Sequence, residues 1–298
     1  MAEIRLLTAE DCDAVEQMKQ IWRECFDAED AYLELYFSLR YRPEETLVYC
    51  EDGQVLGMLT ILPCACRAPW KGQMRQYRGA YLFAVATLPQ AQGRGISTKL
   101  LSFADQYLQS SGVEVSMLAP AEPSLYRFYE QRGYETWFFQ RKGCLAPVGQ
   151  GESTIQRIPL SAREYTAHYR RLLPEDTMLW DEDAFAFAEG ESRLYHGGLY
   201  ALMQGERQIA ICNLYRYQPQ ELIVKELLLE PDADERTVVE GLRRQFPTAK
   251  LHLRLPADAQ GMALTELPLM PAGMVRFYGE EQEKPQKTQR AYCSFLLD

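Results

Sequence analysis

Histidine is scarce in this chain of 298 residues: the three copies, His168, His196 and His252, include no pair at metal-ligand spacing. Regular cysteine spacing is also missing. The eight cysteines, at 12, 25, 50, 64, 66, 144, 212 and 293, sit mostly in apolar segments, so they read as reduced thiols rather than a disulfide framework. Cys64-x-Cys66 would need two further ligands to hold zinc, and no metal site is read. No local signature marks a cysteine nucleophile. The chain lacks any run of about 20 apolar residues, which argues against a membrane-spanning helix. Its opening residues, Met1 to Thr8, lead into acidic residues rather than an apolar core, so no signal peptide is read and a cytoplasmic location is expected. An excess of basic residues is absent too. With 32 Lys and Arg against 42 Asp and Glu, the net charge of −10 disfavours nucleic acid as a partner and suits a cationic one.

What is present is a core-forming composition. The hydrophobic share of 47% against 25% charged is that of a globular protein, and the length suggests two domains. Ala80 to Val85 is a continuous apolar run, as in a strand buried on both faces. Ile96, Leu100, Leu101, Ala104, Tyr107 and Leu108 then recur at helical spacing. Between them lies Gln90-Ala91-Gln92-Gly93-Arg94-Gly95, a glycine-bearing turn into a helix N-terminus. Unpaired N–H groups and the helix dipole make such a turn a seat for a pyrophosphate, and glycine allows its close approach. Glycines also serve plain turns and caps. The Lys-Ser/Thr of a P-loop and the third glycine of a dinucleotide fingerprint are both missing, so nucleoside triphosphates and nicotinamide cofactors fit poorly.

Farther along, Val113 to Leu118 reads as a strand. A short helix follows from Pro123 to Gly133, with proline in its first turn and glycine at its C-cap. Earlier segments read as a strand at Ile4-Leu6, a capping box at Thr8 and Asp11, and two helices, the first carrying Val15, Met18, Trp22 and Cys25 and the second Tyr32, Leu35, Tyr36 and Leu39. Strands Thr46-Cys50 and Val55-Leu59 are joined at Asp52-Gly53, and a second hairpin turns at Lys71-Gly72. A strand at Thr136-Phe139 closes this half. Leu145 to Gly151 reads as a linker.

The segment Gln90-x-x-Gly93-x-Gly95 resembles the pyrophosphate loop of the GNAT superfamily of N-acetyltransferases, and Phe128-Tyr129-Glu130-Gln131-Arg132-Gly133-Tyr134 resembles that family's "FYEK-x-GF" element. The β-α-α-β-β-β-α-β-α-β order is also that of a GNAT domain. The resemblance implies acetyl-CoA as cosubstrate, with contacts at Phe83, Ala84, Val85, Gln90, Gln92, Gly93, Arg94, Gly95, Ile96 and Ser97 and at Ser124. It further implies a strand, here Tyr81 to Val85, that offers a backbone N–H to the thioester carbonyl, and Tyr129 as the acid that protonates the departing thiolate. Tyr129 equally fits a core aromatic. No carboxylate lies between Ala80 and Thr87 to take the amine's proton. Glu24, Asp27 and Glu34 flank the expected acceptor cleft, and Trp22, Phe26, Tyr32 and Tyr36 could line it or simply pack helices.

From Ser153 onward the same architecture recurs without the same sequence: a strand at Ile155-Ile158, helices at Tyr165-Leu172 and Met178-Phe187, strands at Leu199-Met203, Ile209-Tyr215 and Leu222-Leu229, then helix Glu235-Phe246 and strand Leu251-Leu255. At the place of the glycine turn stands Glu230-Pro231-Asp232-Ala233-Asp234-Glu235, whose carboxylates would repel a pyrophosphate. The reading is therefore an α/β fold, a mixed sheet in two tandem GNAT-like domains over 1–146 and 152–298, the second degenerate. An active unit followed by a degenerate one resembles the Eis-type proteins, whose "SFVAVAP" segment parallels Leu82 to Thr87. Those proteins carry a third, sterol-carrier-like domain for which this chain has no room. Two functions stay open: an N-acetyltransferase acting directly on a small, aminoglycoside-like or peptide amine, and a non-catalytic CoA-binding regulatory protein. Association with a second copy is left open, and no membrane partner is expected.

Overall fold

A computed structural model describes residues 2–259, 267–280 and 283–294. The first half runs β1 (Ala2–Leu6), α1 (Cys12–Phe26), α2 (Asp30–Leu39), β2 (Thr46–Glu51), β3 (Gln54–Trp70), β4 (Gln73–Thr87), α3 (Ile96–Ser110), β5 (Val115–Leu118), α4 (Pro123–Glu130) and β6 (Glu135–Leu145). The remainder runs β7 (Gln156–Pro159), α5 (Ala162–Leu172), β8 (Thr177–Trp180), α6 (Glu182–Leu194), β9 (Gly198–Gln204), β10 (Arg207–Gln218), β11 (Glu221–Leu229), α7 (Glu235–Gln245), β12 (Lys250–Pro256) and β13 (Leu269–Phe277).

All thirteen strands join one mixed sheet in the order β1-β2-β3-β4-β5-β13-β6-β12-β11-β10-β9-β7, with β8 paired to β3. Both hairpins lie where the sequence puts them. Asp52 and Gly53 have φ 50° and 80°, Lys71 and Gly72 have φ 50° and 79°, and two consecutive positive φ angles match the right-handed twist of the flanking strands. Along α3, Ile96, Leu100, Leu101, Ala104 and Leu108 are buried, whereas Tyr107, expected on that face, is exposed. No described helix is long and apolar enough to cross a membrane.

Three sequence expectations need correction. Met178 does not begin a helix: Thr177–Trp180 is β8, antiparallel to β3 with Cys64 opposite Trp180, and α6 starts only after Asp181, whose carboxylate accepts from the Ala184 N–H at 2.9 Å. Thr8 and Asp11 do not form a capping box. Asp11 instead accepts from the Thr8 N–H at 2.8 Å and from Arg5 at 2.6 Å, which ties the end of β1 to the turn before α1. The third difference is β13, which the sequence reading omits. It inserts between β5 and β6, antiparallel to both, with Met274 opposite Leu118 and Met270 opposite Gln140.

Side chains lock this insertion. Tyr278 donates to Asp105 Oδ1 at 2.7 Å while its hydroxyl oxygen lies 2.9 Å from Ser116 Oγ, and Arg276 pairs with Asp105 and donates to the Arg132 carbonyl at 2.9 Å. The larger core is shared between the halves as well. Trp22, Tyr36, Tyr81 and Trp137 pack in one cluster with Tyr165, Met178, Trp180, Phe187, Met274 and Tyr292, while a smaller cluster lies between β9–β12 and α7.

A fragment ending near Gly149 would lose β12 and β13, the two strands that pair β6. Each backbone group stranded in the interior costs about 1–3 kcal/mol, so a few of them outweigh a typical net stability of about 5–15 kcal/mol. The fragment is expected to be insoluble or to melt without a cooperative transition, and a peptide spanning residues 267–294 should partly restore one. A soluble, cooperatively melting fragment with full activity would show that the second half and β13 are dispensable.

Candidate active site

β4 and β5 run parallel and pair only from Gly79–Tyr81 against Val115–Met117. β4 continues to Thr87 and, among the described residues, no strand pairs it on that side, so the sheet opens into a wedge. At the mouth of the wedge β4 carries a bulge. Met58 stands opposite Ala86 and Thr60 opposite Phe83, one residue too many on β4, and Ala84 takes up the extra length at φ 50°. A left-handed alanine costs about 1–2 kcal/mol and persists where the surroundings impose it. The bulge interrupts the strand's regular alternation of N–H groups where they face the wedge. Phe83, Ala84 and Val85 are all partly exposed there.

Beyond Thr87 the chain enters the glycine turn. Gly93 and Gly95 have φ 77° and 73°, and a Cβ at either would meet no protein atom within 4 Å, because it would project into open space. That space is a cleft of about 300 Å³ lined by Thr87, Gln92, Gly93, Gly95, Ser97 and Phe128 among others. Among the described residues, the backbone N–H groups from Gly93 to Thr98 donate no hydrogen bond to another backbone group. Gly93, Gly95, Ile96, Ser97 and Thr98 line the cleft at the positive end of α3, an arrangement that suits a pyrophosphate. Ser97 Oγ and Thr87 Oγ1 lie 2.9 Å apart, and Gln92 donates to the Thr87 carbonyl at 3.3 Å, so side chains brace the turn. Arg94 is exposed and donates to Glu51 at 2.5 Å. Gln90 and Ser124 are exposed, the latter donating to Glu122.

One contributor escaped the sequence reading. Arg132 donates to Thr98 Oγ1 at 2.5 Å and stacks 3.5 Å over the Phe128 ring, which places a cation at the start of α3. Its position between Gln131 and Gly133, just past the α4 tyrosines, was the available signal. Burial lowers the Arg132 pKa, but a guanidinium stays charged.

Tyr129 lies on α4 with its ring against Phe128 and Tyr134, at centroid distances of 5.1 and 5.9 Å. Burial pushes its pKa up to about 12, with the Arg132 charge opposing, so the hydroxyl keeps its proton across the physiological range. Among the described residues that hydroxyl has no hydrogen-bond partner. Tyr126, one turn earlier, is half-buried and likewise pushed up to about 12 by burial.

On the side of β4 that faces α1 and α2, the Phe83 ring lies 5.6 Å from Trp22, 6.0 Å from Tyr36 and 6.4 Å from Tyr81. Trp22 and Tyr36 are buried and pack helices, whereas Phe26 is exposed. The second half adds two rings that the sequence did not announce: Phe187 of α6, edge-on to Tyr32 and Tyr36 at 5.8 Å, and Trp180 of β8, edge-on to Tyr81 at 5.1 Å. A groove of about 540 Å³ runs along this seam, lined by Pro63, Cys64, Tyr169, Trp180 and Asp181 with others. Glu24, Asp27 and Glu34 are all exposed, and the structure does not gather them at the cleft. Among the described residues no three metal-ligating side chains converge.

In the second half β11 and β12 also pair in parallel over four residues and then part. The turn that follows is occupied by its own ion pairs, Arg171 with Glu230 and Arg207 with Asp232, while Asp234 caps α7 through the Thr237 N–H at 2.9 Å. No left-handed glycine stands there.

Residues 3–137 match the family model described as an acetyltransferase (GNAT) domain. The match spans the glycine turn, the wedge and Tyr129. Solved structures share the whole fold. A probable N-acyltransferase from Enterococcus faecalis V583 aligns with TM-score 0.68 at 15% identity, over 93% of this chain and 72% of that one. Eis1 from Mycobacterium abscessus aligns with TM-score 0.65 at 16% identity, over 93% and 73% of the two chains. A putative acetyltransferase from Pyrococcus horikoshii aligns with TM-score 0.56 at 14% identity, over 98% of this chain and 94% of that one. Among curated proteins, the S-alkylcysteine N-acetyltransferase of Bacillus subtilis is 29% identical over 101 residues, which are 32% of this chain and 54% of that protein.

Proposed function

We propose that this protein is an acetyl-CoA-dependent N-acetyltransferase that transfers acetyl directly to an amine. The observation that carries the reading is the wedge between β4 and β5, with the left-handed Ala84 at its mouth and the glycine cradle of α3 directly after it. The cradle fits a pyrophosphate, since a Cβ at Gly93 or Gly95 would fill the space the anion needs. Backbone N–H groups at Ala84 and Val85 would hold the thioester carbonyl oxygen as it gains charge, and preorganised donors of this kind are often the largest single catalytic contribution. Tyr129 holds the proton that the sulfur takes as the C–S bond breaks. The amine nitrogen forms the new bond to the carbonyl carbon and gives its own proton to water. No covalent enzyme intermediate is needed, because the wedge sets the two reactants side by side.

The chain divides functionally near residues 146–152. The first unit, completed by β13, carries the chemistry, and the second, its pyrophosphate turn closed by its own ion pairs, walls the acceptor cleft. The rings of Trp22, Phe83, Phe187 and Trp180 favour a small amine with an apolar body over a polycation, which would call for clustered carboxylates.

Free thiol released from acetyl-CoA, followed across S-alkylcysteines, aralkylamines, lysine peptides and aminoglycosides, tests this reading. Amine-dependent release is expected, fastest with the apolar amines. Tight acetyl-CoA binding without release on any amine would instead establish a CoA-binding regulatory protein.

A further inference from the structure

Glu226 of β11 is fully buried and far in sequence from the glycine turn, the Ala84 bulge and Tyr129. Its Oε2 accepts from the Tyr165 hydroxyl of α5 and its Oε1 from the Tyr292 hydroxyl near the chain's end, both at 2.9 Å. The Ser294 hydroxyl is close enough to favour the charged form but lacks hydrogen-bond geometry. Burial pushes the carboxyl up to about 7, and the groups that pull it back are hydroxyls, not a cation. A buried carboxylate held only by neutral donors costs stability, and an apolar residue would pack there more cheaply.

The segment held by Tyr292 is itself part of the site's frame. Ala291, Tyr292, Cys293 and Ser294 are at most 1% exposed. The Ala291 carbonyl accepts from the Phe139 N–H of β6, and the Tyr292 carbonyl accepts from the Met178 N–H of β8 at 2.9 Å. Trp180 donates its indole N–H to the Ser294 carbonyl at 2.8 Å. That same indole lies against Tyr81, which lies against Phe83 beside the Ala84 bulge. Every step from Glu226 to the acceptor wall is thus a hydrogen bond or a ring contact.

We propose that Glu226 is a positioning residue that, from the second half, clamps the segment Ala291–Ser294 and thereby fixes Trp180 as the acceptor-side wall of the first half's site. The kinetic consequence rests on the acetyl-transfer reading; the clamp does not. Removing one of the two hydroxyl bonds loosens the segment without touching the pyrophosphate cradle.

Hydrogen exchange on the full chain, read by mass spectrometry for wild type, Glu226→Gln and Tyr292→Phe, tests the clamp. Amides in peptides covering 176–181 and 288–294 should exchange about tenfold faster in both variants, as the loss of one hydrogen bond to a buried carboxylate implies, while peptides over α3 stay unchanged. With the best amine, KM for the amine should rise several-fold while acetyl-CoA affinity stays within about twofold. Unchanged exchange in both peptides overturns the proposal, and so does faster exchange with an unaltered amine KM. Should Glu226→Gln fail to fold, Tyr292→Phe, which keeps the ring in place, decides alone. If no amine is turned over, the acetyl-transfer reading falls, and the exchange rates still decide whether Glu226 holds the segment and Trp180.

Discussion

Tyr129→Phe is expected to lower kcat by about 10²–10⁴-fold, the usual worth of a positioned general acid, with acetyl-CoA affinity nearly unchanged. The substitution is conservative in every respect but one. The ring contacts with Phe128 and Tyr134 survive, and the hydroxyl it removes has no partner among the described residues, so neither folding nor the α4 position should suffer. Because burial pushes the Tyr129 pKa up to about 12, its loss of a proton should add no falling limb to the kcat profile between pH 7 and 9. The rise over that range should come from the amine, whose free base grows as pH approaches an alkylammonium pKa near ~10.4. The same rise should persist in Tyr129→Phe, displaced downward. Wild-type turnover in the variant, at a pH where chemistry limits the rate, would show that Tyr129 is not the acid. Tyr126→Phe would then be the variant to measure.

The parts legible in the sequence are those with local causes. The glycine turn, both two-residue hairpins and the buried stripe of α3 are each specified within a few residues, by positive φ or by helical spacing. Tyr107 broke the pattern because an aromatic can lie at the margin of a stripe and remain in solvent. The unread parts depend on partners distant in the chain. β13 contains Pro271 and Gly273, which weaken a strand signal, and its partners lie more than 120 residues earlier. β8 is a threonine followed by three apolar residues next to a strong helix start at Asp181, and its pairing to β3 and to Tyr292 makes it a strand. Its Trp180 therefore reached Tyr81 and the groove beside it unannounced. Arg132 was missed for another reason: its role comes from stacking on Phe128 and bonding to Thr98, which spacing alone does not reveal.

These long-range contacts bear on how the two halves cooperate. The first half supplies the cradle, the wedge and Tyr129, and it depends on β13 and on the Asp105, Ser116, Tyr278 and Arg276 bonds to close its sheet. The second half keeps the parted strands of the same fold, but its turn is filled by Arg171–Glu230 and Arg207–Asp232. An anion there would meet acidic residues in place of unpaired N–H groups. The account therefore requires one cosubstrate per chain.

Calorimetric titration of acetyl-CoA into the full chain, repeated on Gly93→Asp, tests that requirement most directly. The aspartate Cβ would meet no protein atom, and aspartate tolerates the left-handed region better than most residues, so the variant should fold. Its carboxylate would stand where the pyrophosphate must lie. About 4 Å between like charges costs on the order of 4 kcal/mol near a protein surface, so affinity should drop about 10³-fold, below detection. The account predicts one site per chain in the wild type and none in folded Gly93→Asp. Two equivalent sites per chain, or unchanged affinity in the folded variant, would contradict it.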